Sequence, residues 1–149
     1  MKVVIQRCLS AQVTIDHSVV AQINHGLVIL IGVGKEDNHA DAEYLIQKII
    51  QMRIFSDEEG KMNRSVTDVL GDVVLVSQFT LFADTKKGNR PSFIHSAPPD
   101  QAKALYDYFV ETFKKQFTGK IETGVFGADM KVSLVNDGPV TIIIDTANK

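Results

Sequence analysis

Apolar positions in the first third of the chain alternate or run in short blocks, which is the pattern of β-strands. Segments 2–8, 12–15, 19–23 and 27–33 read as strands, with turn signals at Asp16-His17 and Asn24-His25-Gly26. Leu27-Val28-Ile29-Leu30-Ile31 is apolar on both faces, as suits a central strand. The period then changes. Ala42, Leu45, Ile46, Ile49 and Ile50 recur at helical spacing and predict a helix over 39–53, with Asp37 or Asn38 capping its start. Asp57-Glu58-Glu59-Gly60-Lys61 is a polar loop tip, and Val73-Val74-Leu75-Val76 lies inside a strand over 72–79. Residues 80–97, with Gly88 and Pro91, read as a long ordered loop, a kind of segment that often carries function. A second helix is expected over about 98–117, with Ala102, Leu105, Tyr106, Phe109 and Phe113 as its buried stripe. Pro98, Pro99 and Asp100 suit its first turn, and Gly119 the position past its end. Segments 131–135 and 140–145 are the last two strands, joined through Gly138-Pro139 as a turn. The expectation is one α/β domain over 1–149: a mixed, barrel-like or two-layer β-sheet with two helices packed on one side.

Composition narrows the function. The 149 residues suffice for one domain with a real core. A net charge of −2 and a pI near 6.1 argue against a broad basic face for nucleic acid. Absence of Trp argues against a large base-stacking platform. Neither excludes a small basic site. Cys8 is the single cysteine, so no intramolecular disulfide or cysteine-rich metal site forms, and it reads as a small buried apolar residue. No apolar run is long enough to span a membrane, and Gln6-Arg7 interrupts the first one, so a cytoplasmic location is expected.

Common catalytic patterns are missing. The histidines His17, His25 and His39 fall in turns or at a helix start, and only His95 lies near a candidate site. No metal site and no cofactor are expected. Two segments hold more polar and backbone-special residues than strands require. Ser77-Gln78-Phe79-Thr80 ends an apolar run with two hydroxyls, an amide and strand-end N–H groups, the materials of an oxyanion hole. On the tetrapeptide alone, an ordinary strand with local hydroxyl bonds is the better reading. Asn136-Asp137-Gly138-Pro139 reads either as a tight turn or as a rigid presentation of backbone carbonyls to a ligand. Lys86, Lys87 and Arg90 form a small cationic cluster, either a solvated run or a set of phosphate contacts.

At this point the chain resembles the D-aminoacyl-tRNA deacylases (the D-tyrosyl-tRNA deacylase family) along essentially its whole length. The resemblance rests on Ser77-Gln78-Phe79-Thr80-Leu81-Phe82-Ala83 and Asn136-Asp137-Gly138-Pro139-Val140-Thr141. Lys87-Gly88-Asn89-Arg90-Pro91-Ser92-Phe93, Gly124-Val125-Phe126-Gly127-Ala128-Asp129-Met130 and Gln6-Arg7 support it. It implies a hydrolase that cleaves the ester between a D-amino acid and the 3′-terminal ribose of tRNA. It implies a homodimer with sites at the subunit interface and a fold like the editing domain of archaeal threonyl-tRNA synthetases. Ser77, Gln78, Phe79 and Thr80 would form the catalytic pocket. Gly138 and Pro139, joined by a cis bond, would reach into the partner's site and reject L-amino acids, with Arg7 and Met130 beside them in substrate binding. Lys86, Lys87 and Arg90 would meet tRNA phosphates. If selection works by steric exclusion alone, glycyl-tRNA is a substrate too.

The family offers two mechanisms, a Thr80 nucleophile or backbone N–H groups acting with the substrate's own 2′-hydroxyl. No base adjoins Thr80 in sequence, which favours the second. A non-enzymatic nucleic-acid or aminoacyl-RNA binding module, with Lys86, Lys87 and Arg90 as its footprint, is the reading from a different class.

Overall fold

A computed structural model describes residues 1–149. Its order is β1 (Lys2–Ile15), β2 (Ser18–Ile23), β3 (Gly26–Gly32), α1 (His39–Gln51), β4 (Phe55–Ser56), β5 (Met62–Arg64), β6 (Asp72–Ser77), α2 (Pro99–Gln116), β7 (Ile121–Thr123) and β8 (Lys131–Asp145), with 3₁₀ turns at Phe79–Phe82 and Thr146–Asn148.

The long strand β1 organises the sheet. On one edge its first half pairs antiparallel with β3 (Val3 opposite Ile31) and its second half with β2 (Val13 opposite Ala21). Along the other edge it pairs with β8 over nearly its whole length. β6 runs parallel to β3, and β7 parallel to β6. The sheet is mixed and barrel-like, and its curl creates two cores. The larger lies under α1 and α2, where Leu45, Ile46, Ile49, Phe109 and Phe113 meet Ile5, Ile29 and Leu75. The smaller, around Cys8, Val13, Ile23, Val28 and Val74, fills the opposite face. Alternation along β6 explains both: Val73 and Leu75 point to the helices, and Val74 and Val76 away from them.

Three expectations are corrected. Segments 2–8 and 12–15 are one strand, because β8 offers a partner edge that carries β1 straight through Leu9-Ser10-Ala11. Segments 131–135 and 140–145 are likewise one strand, and Gly138-Pro139 is no turn. Asn136 pairs with Cys8 and Thr141 with Gln6, so the four residues 137–140 bulge opposite Arg7 alone. The peptide Gly138–Pro139 is cis, and Gly138 has φ +138°, a region that L side chains rarely adopt. The strand expected over 72–79 ends at Ser77, where the 3₁₀ turn takes over. The 80–97 loop is held by pairings of Asp84 with Ser92 and of Gly34 with Ser96. The polar tip at 57–61 joins β4 to β5, a hairpin too short to show as alternation.

Candidate active site

Beside the C-terminal end of β6 lies a cleft of about 650 Å³. Ile31, Val33 and Val76 form one wall, and Ala102 and Tyr106 of α2 another. Phe126, Gly127, Ala128, Asp129 and Met130 close it from the loop before β8, and Ser77 and Gln78 supply a polar edge next to Phe79. The cleft is thus mostly apolar with a few convergent polar groups, as small-ligand sites are. Phe79, 55% exposed, meets Phe93 edge-on at 5.1 Å at the rim.

The chain turns sharply after Ser77. The Gln78 N–H donates to the Ile31 carbonyl (2.7 Å), and the first bond of the turn runs from Leu81 N–H to the Gln78 carbonyl (3.3 Å). Phe79 and Thr80 lie before that bond, so their N–H groups have no acceptor inside the turn. Gly32 permits this geometry: a Cβ there would come within 3.0 Å of the Gln78 carbonyl oxygen and of Leu81 Cβ. The Thr80 side chain is exposed, and its hydroxyl accepts from the Gln78 amide. No carboxylate or imidazole bonds it.

Met130 lines the cleft. Arg7, Gly138 and Pro139 do not line it within one chain. Arg7, 8% exposed, donates from Nε to the Asp137 carbonyl (2.9 Å) and from Nη1 to the Ile54 carbonyl (2.5 Å), and so anchors the bulge. Asn136 braces it from within: Oδ1 accepts from Val140 N–H (2.7 Å), and Nδ2 donates to the Val140 carbonyl (3.3 Å). Gly138 and Pro139 themselves are exposed on β8. Lys86, Lys87 and Arg90 are exposed on the loop after the turn, with no carboxylate within 4.0 Å. His95 sits away from the cleft, 64% exposed and 4.0 Å from Asp84.

Sequence reasoning placed Tyr106 only in a core stripe. Its hydroxyl donates to the Leu75 carbonyl (3.0 Å) beneath the cleft, and burial holds its pKa well above the usual phenol range. A phenol in an otherwise apolar stripe was the available signal. Burial likewise pushes the Cys8 thiol up to about 11, so it is no nucleophile at neutral pH. The described residues hold no cluster of three metal-binding side chains. No helix is long and apolar enough to cross a membrane.

A mostly apolar cleft edged by the Ser77 and Gln78 side chains has the form of a small-substrate site, the kind an enzyme uses. Comparison with known proteins gives the family. The model described as D-Tyr-tRNA(Tyr) deacylase matches residues 4–145, and the chain belongs to that family. It is 52% identical over 146 residues to a D-aminoacyl-tRNA deacylase of Thermosipho melanesiensis, covering 98% of this chain and 97% of that one. It is accordingly an enzyme, a hydrolase of the D-aminoacyl-tRNA deacylase kind. Among solved structures it is similar to a c-Myc DNA unwinding element binding protein (TM-score 0.93, 39% identity, 98% and 99% of the two chains). The fold also matches a probable eukaryotic D-amino acid tRNA deacylase (TM-score 0.81, 16% identity, 96% and 97%).

Proposed function

We propose that this enzyme removes D-amino acids and glycine from tRNA and spares L-aminoacyl-tRNA, working as a homodimer with sites shared between subunits. The observation that carries this is the braced bulge. Gly138 and Pro139 stand exposed on an edge strand, fixed from below by Arg7 and Asn136, yet they touch nothing in their own cleft. Such a device serves a site on another molecule. In the partner's cleft, the Gly138 and Pro139 carbonyls would occupy the direction that an L side chain takes from Cα.

For the chemistry, the Phe79 and Thr80 N–H groups face the developing oxyanion. Water attacks the ester carbonyl carbon, assisted by the terminal ribose 2′-hydroxyl. The ester C–O bond then breaks, and the departing ribose oxygen takes up the proton. Oxyanion donors contribute about 3–4 kcal/mol each in other hydrolases, enough to matter for an ester that is already activated. Lys86, Lys87 and Arg90 meet tRNA phosphates, and the protein works in the cytoplasm. The name of the DNA-unwinding-element relative speaks of nucleic-acid binding by that protein, and a purely binding role would leave every ester intact.

The test is deacylation of glycyl-, D-alanyl- and L-alanyl-tRNA. The first two are expected to clear and the third to persist. A methyl group is worth only about 1–3 kcal/mol in a compliant pocket. Strong sparing of L-alanyl-tRNA therefore requires a stiff wall, which the proline ring and the Arg7 and Asn136 bonds provide. Resistance of glycyl-tRNA at enzyme levels that clear D-alanyl-tRNA would mean that the D side chain is positively recognised, and exclusion would be wrong.

A further inference from the structure

Two phenylalanine rings stand at the rim of the apolar cleft. Phe79 is 55% exposed and Phe93 36%, and both line the cleft. The next residue, Ile94, is 63% exposed, so the rim is apolar on its outer side as well. The two rings meet with centroids 5.1 Å apart and planes at 68°. Attraction of a ring edge for a ring face steadies both. The same contact fills the space between them, so a flat guest is taken on an open outer face rather than in a slot.

Both rings grow from fixed backbone. Just ahead of Phe79, the Gln78 N–H is held by the Ile31 carbonyl of β3 (2.7 Å). Just ahead of Phe93, Ser92 exchanges two main-chain bonds with Asp84 (2.7 and 2.9 Å). The Phe93 carbonyl itself accepts from Ser96 N–H (3.0 Å). Between the two rings in sequence lie the exposed Lys86, Lys87 and Arg90. Aromatic rings combined with cations are the materials of single-stranded nucleic-acid sites.

We propose that the Phe79–Phe93 pair is a stacking site for one nucleobase of the substrate, the base that precedes the terminal nucleoside. This rests on the reading of the apolar cleft as the aminoacyl-tRNA site. The terminal nucleoside and its ester occupy the interior of the cleft. The strand then leaves over the rim, and its next base lies flat on the open ring face. A single-stranded 3′ end suits such a site because its bases are unpaired. Every base has a π-face, so the contact adds affinity without selecting sequence, as an enzyme serving many tRNAs requires. One ring pair holds one base, in keeping with a chain that has no Trp.

Three substrates test the site: D-alanyl-tRNA, a dinucleotide with the D-alanyl ester on its 3′ nucleoside, and the same dinucleotide whose upstream ribose lacks its base. The two dinucleotides carry the same phosphate, so the ratio of their kcat/KM values reads the base alone. The wild type is expected to favour the base-bearing dinucleotide about tenfold, through KM rather than kcat. That preference is expected to shrink about fivefold in Phe93→Ala, where the Phe79 ring also loses its brace. It is expected to shrink similarly in Phe93→Leu, which keeps apolar bulk without a ring face, and to survive in Phe93→Tyr. Unfolding midpoints check that each variant is folded. No preference in the wild type, or an undiminished one in folded Phe93→Ala and Phe93→Leu, overturns the stacking site alone. An equal loss on both dinucleotides also overturns it, since Phe93 would then serve as cleft wall or subunit contact. A wild type that leaves D-alanyl-tRNA intact overturns the functional reading, and the stacking site with it.

Discussion

At the scale of single residues, Thr80 is the informative position. Its hydroxyl is exposed and bonded only by the Gln78 amide, which can donate a proton but not remove one. Thr80→Ala therefore loses a positioning contact rather than a nucleophile. Deacylation is expected to weaken by about 1–3 kcal/mol, roughly five- to 150-fold, and not to vanish. Single-turnover kinetics on D-alanyl-tRNA would measure this, and replacing the terminal 2′-hydroxyl by hydrogen is expected to be the more severe change. A trapped aminoacyl-Thr80 ester would refute it. The absence of a base beside Thr80 was legible in the chain, since no histidine or carboxylate adjoins it. Anchoring of the bulge by Arg7 was not, because Arg7 meets Asp137 across 130 positions and Ile54 across 47.

At the scale of elements, periodicity found what is regular and missed what depends on a partner. Helix α1 appeared from Ala42, Leu45, Ile46 and Ile49, and β3 from its unbroken apolar run. The splits of β1 and β8 into two strands failed for a common reason. Bulges look like turns until the opposite strand is known, and β1 supplies that strand for β8. Short β7 is held by its parallel partner β6 and shows no pattern of its own.

The start of α1 carries a testable electrostatic device. Asn38 Oδ1 accepts from Ala40 N–H (2.9 Å), and Asp41 Oδ2 returns a bond from Asn38 N–H (3.0 Å). Burial opposes ionisation of Asp41, but bonds from Lys149, the Asn38 N–H and Thr146, with the Met1 ammonium nearby, outweigh it and lower its pKa. A depressed folded pKa adds stability that is present above the unfolded value near 4 and lost as pH falls through the folded one. Asp41→Asn is expected to lower stability by about 1 kcal/mol at pH 7 and to flatten its decline below pH 4. Urea titrations at pH 7, 4 and 3 would detect both, and equal loss at all three would count against the ionised cap.

At the scale of the whole molecule, β8 is the edge that matters. It pairs only with β1, and Leu9, Val135 and Ile143 stay 54%, 54% and 71% exposed on these two strands. An open edge beside exposed apolar side chains invites pairing with another chain. An obligate homodimer is expected in sedimentation, and a fully active monomer would end the idea of shared sites. Complementation tests the sharing directly. Thr80→Pro removes one main-chain donor, and Gly138→Ala puts a Cβ where φ is +138°. Either variant alone is expected to be crippled, whereas their mixture is expected to recover activity through heterodimers that keep one intact site.

The free N–H groups at the start of the Phe79–Phe82 turn have one more consequence. Every residue type except proline presents the same amide, so random coding changes at positions 79 and 80 leave the donors chemically untouched. Drift in side chains then adjusts rate and preference while the reaction itself persists. On the proposed chemistry the weak point is spacing: one residue inserted or deleted between Ile31's partner Gln78 and Leu81 would shift the register of the turn and with it both proposed donors. Lineages of such an enzyme would tolerate substitution here and purge every change of length.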